Sequence, residues 1–146
     1  EGLSLDEKLS FAINYYNIKL IETAELPDFT RKEALSVFRN DSLKLNPRSI
    51  FCLSDIYKHS PNMMTVTSVS VNAQLEDAMI NQLKKVVKVD NELSIIRVLD
   101  WYTLNVADKQ LRDAYIQRVY PTIKLNAFSY YLVQEQPVLN VYKAKR

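Results

Sequence analysis

The sequence predicts an all-α fold in which about six or seven helices, arranged as antiparallel pairs, stack into a short right-handed superhelix. Three observations lead to this prediction. Apolar residues recur every three or four positions along most of the chain, which is the spacing of one helix face. Helix-capping signals precede several of these stripes. The chain also has a single glycine among its 146 residues, whereas tight primed hairpins and glycine-rich phosphate loops need several.

Length and composition indicate one domain, residues 1–146. The length is that of one ordinary domain, and 47% apolar with 25% charged residues is typical of a globular chain. Nineteen Lys and Arg residues against seventeen Asp and Glu residues give a net charge of +2, a weaker excess than nucleic-acid-binding domains usually carry. Short apolar runs, a lone cysteine (Cys52) and an acidic N-terminal stretch without a signal-peptide pattern favour an intracellular protein with no transmembrane segment.

The first half of the chain contains three predicted helices. Residues 4–7 (SLDE) form a capping box that begins the first helix. Residues 30–33 (TRKE) form a second capping box, and Asn46 with Pro47 supplies an N-cap followed by proline at the first position of a third helix. The β-branched stretch 63–71 is predicted to be a connecting loop. The apolar stripe of the first helix consists of Leu5, Leu9, Ala12, Ile13, Tyr16 and Leu20.

The second half contains four more predicted helices. A fourth helix begins near Asn72 and ends before the turn at Asp90, and a fifth covers residues 92–104. A sixth begins near Asp108, and a short last helix covers residues 128–135 before an extended tail. Helices of this length joined by short turns favour antiparallel neighbours.

Two stretches of the chain resemble copies of one helical-repeat unit. Residues 30–59 and residues 72–104 each give helix, short loop and helix, a spacing typical of helical solenoids. Residues 82–100 (QLKKVVKVDNELSIIRVLD) resemble one right-handed pair of a tetratricopeptide- or pentatricopeptide-like repeat. Together with residues 115–123 (YIQRVYPTI), they resemble the helical accessory subunit Va (subunit 6 in yeasts) of cytochrome c oxidase. This resemblance implies a non-catalytic, matrix-side mitochondrial subunit that docks on a large complex.

A second resemblance links three segments to VHS-type trafficking superhelices. These segments are residues 31–35 (RKEAL), 46–51 (NPRSIF) and 99–101 (LDW). This resemblance implies a trafficking adaptor instead of a mitochondrial subunit.

His59 is the one histidine of the chain and the candidate general base. Asp55, four residues earlier, would share its helix face, as an orienting carboxylate does for a catalytic histidine. No nucleophile motif accompanies the pair, and a histidine at a helix C-terminus commonly stabilises the helix dipole instead. The carboxylates at 76–77 and 108–113 lack the spacing and the glycine of an EF-hand loop. We therefore expect no catalytic residue, no metal and no cofactor.

Four residues are predicted to bind a partner protein. On the predicted fifth helix, Arg97 and Trp101 lie one turn apart, and both residue types are enriched in binding hot spots. The alternative is that another helix covers this side and makes Trp101 a core residue. Tyr130 and Tyr131 belong to a group of tyrosines in the last third of the chain, which suits a semi-polar interface.

Lys84, Lys85 and Lys88 form the densest internal basic group. They predict an RNA-backbone surface, whose affinity would fall steeply with salt. The alternative is a solvated helix face, because Asp77 interrupts the group and no aromatic stacking residue lies nearby in the sequence. The sequence thus favours a non-catalytic scaffold or docking domain, with an RNA-binding helical-repeat protein of organelle gene expression as the alternative.

Overall fold

The computed structural model describes residues 2–23, 46–54, 59–62 and 64–135, and the structural statements below concern these residues. They combine helices with a three-stranded sheet, so the predicted all-α superhelix is wrong. The predicted second helix, which begins at residues 30–33, lies outside the described residues. In chain order the elements are α1 (Leu5–Thr23), the 3-10 helix η1 (Pro47–Cys52), α2 (Val71–Val86), β1 (Val87–Asp90), β2 (Ile95–Leu99), α3 (Asp100–Asn105), α4 (Lys109–Val119), the 3-10 helix η2 (Leu125–Ala127) and β3 (Ser129–Val133).

The capping box at the start of α1 is confirmed. The backbone N–H of Ser4 donates to Glu7 Oε1, and the backbone N–H of Glu7 donates to Ser4 Oγ, each at 3.1 Å. Both bonds satisfy N–H groups that a helix start leaves without an internal partner. Of the predicted stripe, Leu5 is exposed and the side chain of Leu20 lies outside the described part of the chain. The buried members of the stripe are Leu9, Ala12, Ile13 and Tyr16.

The predicted third helix is reduced to the 3-10 helix η1 over the described residues, which begins at Pro47 as expected. The predicted connecting loop is confirmed for residues 64–70, which form no helix or strand. The sixth helix is confirmed as α4, where the side chain of Asp108 caps the start by accepting from the backbone N–H groups of Gln110 and Leu111. The capping role of Asp108 is therefore confirmed, whereas the Asn46 side chain makes no capping hydrogen bond to η1, so that predicted N-cap is wrong.

The predicted fourth helix is confirmed as α2, but it ends at Val86, where β1 begins. The predicted fifth helix, residues 92–104, is wrong over residues 92–99, which form a turn and β2, and only its end is helical, as α3. Along β2 the exposed Arg97 lies between the buried Ile96 and Val98, which is the two-residue period of a strand. Val86–Val89 and Ile95–Val98 are rich in β-branched residues, which pack well on a pleated sheet. The apolar residues that predicted a broad helix face therefore belong to a strand with one face in the core.

The hairpin turn at residues 91–94 forms without glycine. Asp90 Oδ1 accepts a hydrogen bond from the backbone N–H of Leu93 at 3.0 Å, and Ser94 takes the left-handed conformation with φ 53°. A two-residue type I′ turn needs a positive φ at both central residues, and a type II′ turn needs one at the first, whereas longer loops are commonly built around a type I turn. Low glycine content therefore did not exclude a hairpin of this kind.

The predicted last helix over residues 128–135 is also wrong, because the segment contains β3. The sheet order is β1-β2-β3, with β1 antiparallel and β3 parallel to β2. Parallel neighbours require a crossover connection, and α3, α4 and η2 form it between β2 and β3.

The core is built around α2, which contacts η1, α1, α4, β1 and β2. Trp101 of α3 is fully buried there, and its ring centroid lies 6.3 Å from that of Phe51. Phe51 in turn meets Tyr115 of α4 edge to face at 5.4 Å. The face of α2 in this core consists of Val71, Leu75, Ala78, Met79, Gln82, Leu83 and Val86.

Candidate functional site

The outer edge of β3 is the first component of the candidate site. Ser129 donates its backbone N–H to the carbonyl oxygen of Ser94 at 2.9 Å, toward β2. Because alternate residues of a strand direct their backbone groups to the same side, the N–H and C=O groups of Tyr130 and Leu132 point away from β2. Within the described part of the chain, no strand pairs with that side of β3.

A groove of about 290 Å³ is the second component, and it lies between β3 and the helices α3 and α4. Its walls include the apolar side chains of Val98, Ile116 and Leu132, together with the ring of Tyr102. The groove therefore combines an apolar interior with an adjacent row of outward-facing backbone groups.

The rim of the groove carries a hydrogen-bonded trio. The Tyr130 hydroxyl donates to Asp113 Oδ1 at 2.7 Å, and Lys109 Nζ donates to Asp113 Oδ2 at 2.8 Å. The Lys109 ammonium also lies 5.9 Å from the centroid of the Tyr130 ring. Burial acts to raise the pKa of Asp113, but the hydrogen bonds from Lys109 and Tyr130 outweigh it and lower that pKa. The charged carboxylate thus fixes the Tyr130 ring at the rim.

Two tyrosines of the groove remain hydrogen-bond donors at neutral pH. Burial raises the pKa of Tyr130, and its bond to Asp113 adds to the effect. Burial likewise raises the pKa of Tyr102, whose hydroxyl donates to the carbonyl oxygen of Arg112 at 2.8 Å. Arg112 Nη1 donates to the carbonyl oxygens of Val106 and Ala107, each at 2.8 Å. These bonds hold the α3–α4 connection in place, so the floor of the groove is preformed.

The structure separates the residues that the sequence had placed on one binding face. Trp101 is 0% exposed, so it belongs to the core, which was the open alternative. Arg97 lies on β2 with its side chain 44% exposed, so the predicted face shared by Arg97 and Trp101 is wrong. Tyr130 is 42% and Tyr131 61% exposed, both on β3.

The three lysines of the predicted RNA surface do not act as one group. Lys84 and Lys88 are exposed, and Lys88 Nζ donates to the carbonyl oxygen of Lys84 at 2.6 Å. Lys85 is half-buried and donates instead to the carbonyl oxygen of Ser60 at 3.2 Å. Burial lowers the pKa of Lys85, and the nearby charge of Glu135 opposes this effect. Lys85 therefore belongs to a different part of the surface.

His59 contacts Glu135, which lies 76 positions away in the sequence. Glu135 Oε1 accepts from the backbone N–H of His59 at 2.6 Å and lies 2.7 Å from the ring nitrogen Nδ1. The Glu135 side chain is only 7% exposed. Gln82 Nε2 donates to the carbonyl oxygen of His59 at 2.6 Å. The proposed orienting residue, Asp55, lies outside the described residues, and His59 instead anchors the chain that follows β3.

Cys52 is a buried free cysteine. Burial raises the pKa of the Cys52 thiol to about 12, so the thiolate needed for nucleophilic chemistry is not available at neutral pH. Across the described ranges, no three His, Cys, Asp or Glu side chains cluster as metal ligands would. In the same ranges, every helix is too short or too polar to cross a bilayer.

Comparisons with known proteins found no matching family model, no significantly similar curated protein and no significantly similar solved structure. Residues 82–100, which carried the repeat resemblance, form the end of α2 and the β1–β2 hairpin, not a helix pair. Membership of the cytochrome oxidase subunit family or of the VHS family, and with it a mitochondrial or trafficking role, stays a prediction. What the chain does has to be inferred from its own surface.

Proposed function

We propose that this chain is a non-catalytic docking protein that captures an extended segment of a partner protein as a further strand on the outer edge of β3. One observation carries the proposal: the outward backbone groups of Tyr130 and Leu132 lie beside an apolar groove. Strand addition is an established mode of peptide recognition, in which main-chain hydrogen bonds supply affinity and alternate side chains supply specificity.

The composition of β3 supports this role. The strand reads SYYLV and carries no charged residue, and Leu132 is 54% exposed. Sheet edges that must stay unpaired are usually protected by charged side chains, proline or a bulge. An uncharged, exposed edge is a template for pairing, so a partner strand is the occupant that this surface fits.

The groove defines the chemistry of the partner. A strand added to β3 would run about 4.8 Å from it and would direct every second side chain toward the helix layer. There the side chains would meet the apolar walls formed by Val98, Ile116 and Leu132. The partner is therefore an extended segment with aliphatic residues at alternate positions.

The tyrosines add contact area on both sides of the added strand. Tyr130 is held at the groove by Asp113, and Tyr131 lies on the opposite face of β3 because neighbouring residues of a strand alternate. Tyrosine combines an apolar ring with a hydroxyl, and it is enriched in protein interfaces for that reason. Both predicted tyrosines thus border the same bound strand, whereas Trp101 supports the fold beneath it.

The test uses the full chain and a displayed library of random peptides. We expect selected peptides to carry aliphatic residues at every second position. Leu132→Pro removes one outward N–H, a change that an edge strand tolerates. It should reduce the affinity for a selected peptide about tenfold or more, because the main-chain hydrogen bonds between β3 and the peptide supply the affinity. Leu132→Ala is the matched control, because it shortens the same side chain but keeps the N–H.

The two variants separate strand addition from simple contact. Circular dichroism and the thermal midpoint show whether Leu132→Pro keeps the fold. Equal peptide affinity in folded Leu132→Pro and Leu132→Ala would contradict the proposal. The proposal would also be contradicted if the selected peptides showed no alternating aliphatic residues and their binding did not protect the Tyr130 and Leu132 amides from hydrogen exchange.

A further inference from the structure

The face of the sheet turned away from the core carries a row of three exposed side chains. Lys88 pairs with Arg97 across β1 and β2, and Arg97 pairs with Tyr131 across β2 and β3. Directly paired residues place their side chains on the same face, with Cβ atoms about 5 Å apart. All three residues are exposed, whereas Val87 and Val98, the pair beside them, are buried on the other face. We call these three residues the Lys88–Arg97–Tyr131 row.

The row is electropositive. Lys84 is a second exposed cation close by in the fold, since Lys88 Nζ donates to its backbone carbonyl oxygen at 2.6 Å. Asp90 is the acidic residue of β1 on this face, and its Oδ2 lies 3.5 Å from Arg97 Nη1. The backbone N–H of Leu93 and the Arg97 guanidinium hold the pKa of Asp90 below its ordinary value. This long ion pair occupies one of the five guanidinium N–H donors, so the others can meet an anionic ligand.

We infer that this face binds single-stranded nucleic acid, with Lys84, Lys88 and Arg97 contacting phosphates and Tyr131 stacking on a base. Cations that neutralise phosphates release counterions and so supply sequence-independent affinity. An aromatic side chain beside such cations provides the stacking platform that single-strand binding proteins use. The sequence alone offered lysines without an aromatic neighbour, and the strand register supplies one.

This site differs from the proposed docking edge, although Tyr131 borders both. A partner strand would pair in the plane of the sheet with the outer side of β3, whereas a nucleic acid strand would lie across the face formed by all three strands. Leu132→Pro should therefore weaken peptide binding and leave oligonucleotide binding unchanged, because Leu132 points to the opposite face from the row.

The test is fluorescence anisotropy with the full chain and a labelled oligouridylate of about 12 nucleotides, a length within the usual site sizes, over a salt series. Three phosphate contacts predict a slope of about −2 for log affinity against log salt, from about 0.7 per contact on a single strand. Arg97→Ala should reduce the size of the slope by about 0.7. Tyr131→Ala should weaken binding about fivefold or more at every salt concentration, without changing the slope, whereas Tyr131→Phe should bind like the parent chain.

Controls distinguish this surface from general attraction of anions. Lys8→Ala removes one exposed cation from α1, outside the sheet, and should change neither slope nor affinity appreciably. Polyglutamate tests an acidic protein as the occupant, and it should compete poorly because it has no base to stack. The inference is overturned by the absence of binding at the lowest salt, by equal losses in Lys8→Ala and Arg97→Ala, by full affinity in Tyr131→Ala, or by polyglutamate competing as well as the oligonucleotide.

Discussion

The two edge strands of the sheet, β1 and β3, differ in how their outer sides are hydrogen-bonded and charged. At β1, the backbone N–H of Val87 donates to the carbonyl oxygen of Leu83 in α2, and the Tyr120 hydroxyl donates to the carbonyl oxygen of Val87 at 3.1 Å. Lys88 and Asp90 add charges to this strand. β3 has neither feature on its outer side: it is uncharged, and no described strand pairs with it. Because charges and covering groups prevent unwanted strand pairing, β1 is the protected edge and β3 the unprotected one among the described residues, which supports the proposed docking of a partner strand.

The largest expected effect comes from a change in the core on which both edges depend for a folded domain. Trp101 is fully buried and packs against Phe51. Trp101→Ala should lower the free energy of unfolding by about 3–5 kcal/mol, as large-to-small changes in a core do. Denaturant unfolding measures this, with Leu104→Ala as the control, since Leu104 lies on the same helix but is 64% exposed. Similar small losses in both variants would mean that Trp101 is a surface residue after all.

A smaller effect should distinguish the protected edge from the unprotected one. Tyr120→Phe removes the hydroxyl that satisfies the Val87 carbonyl oxygen, and should lower the free energy of unfolding by about 1 kcal/mol. Tyr131→Phe removes a hydroxyl from the unprotected edge, where the side chain is 61% exposed, and should leave the stability unchanged within error. Equal losses in chemical denaturation would show that the Tyr131 hydroxyl has a stabilising partner, as the Tyr120 hydroxyl has.

The smallest effect concerns the rim of the groove and depends on pH. Because the pKa of Asp113 in the folded chain lies below its ordinary value of 3.8, its charge stabilises the fold above about pH 4. This contribution is lost as the pH falls through the lowered value. At neutral pH, Asp113→Asn should therefore be less stable than the parent chain by about 0.5 kcal/mol, the size of partly exposed ion pairs.

Unfolding curves over a pH series measure this difference. It should shrink toward zero as the pH falls below 4. A gap that stays constant down to the most acidic pH would show that the charge of Asp113 does not hold the rim.

The features predictable from the sequence were those encoded by neighbouring residues. The capping box at Ser4 and the N-cap at Asp108 involve partners two or three positions away, so their chemistry is visible in the sequence. The sheet depends on distant pairs such as Arg97 with Tyr131, which no local pattern reveals. The β-branched run in β2 was the available signal, but its apolar residues also fit a broad helical stripe.

The candidate site could be predicted only in part for the same reason. Residue type alone suggested Tyr130 and Tyr131, which lie exposed on β3, and also Trp101, which is buried. The contact between His59 and Glu135 joins residues 76 positions apart, so spacing could not indicate it. Residue type indicates what a side chain can do, whereas exposure and partners depend on the tertiary fold.

Hydrogen exchange of the free chain tests the unprotected outer edge of β3 most directly. In the partner-free protein, the outward amides of Tyr130 and Leu132 should exchange much faster than the amides of Tyr131 and Val133, which point toward β2. Comparable slow exchange at all four positions would mean that the outer side of β3 is already covered, and it would contradict the proposed docking of a partner strand there.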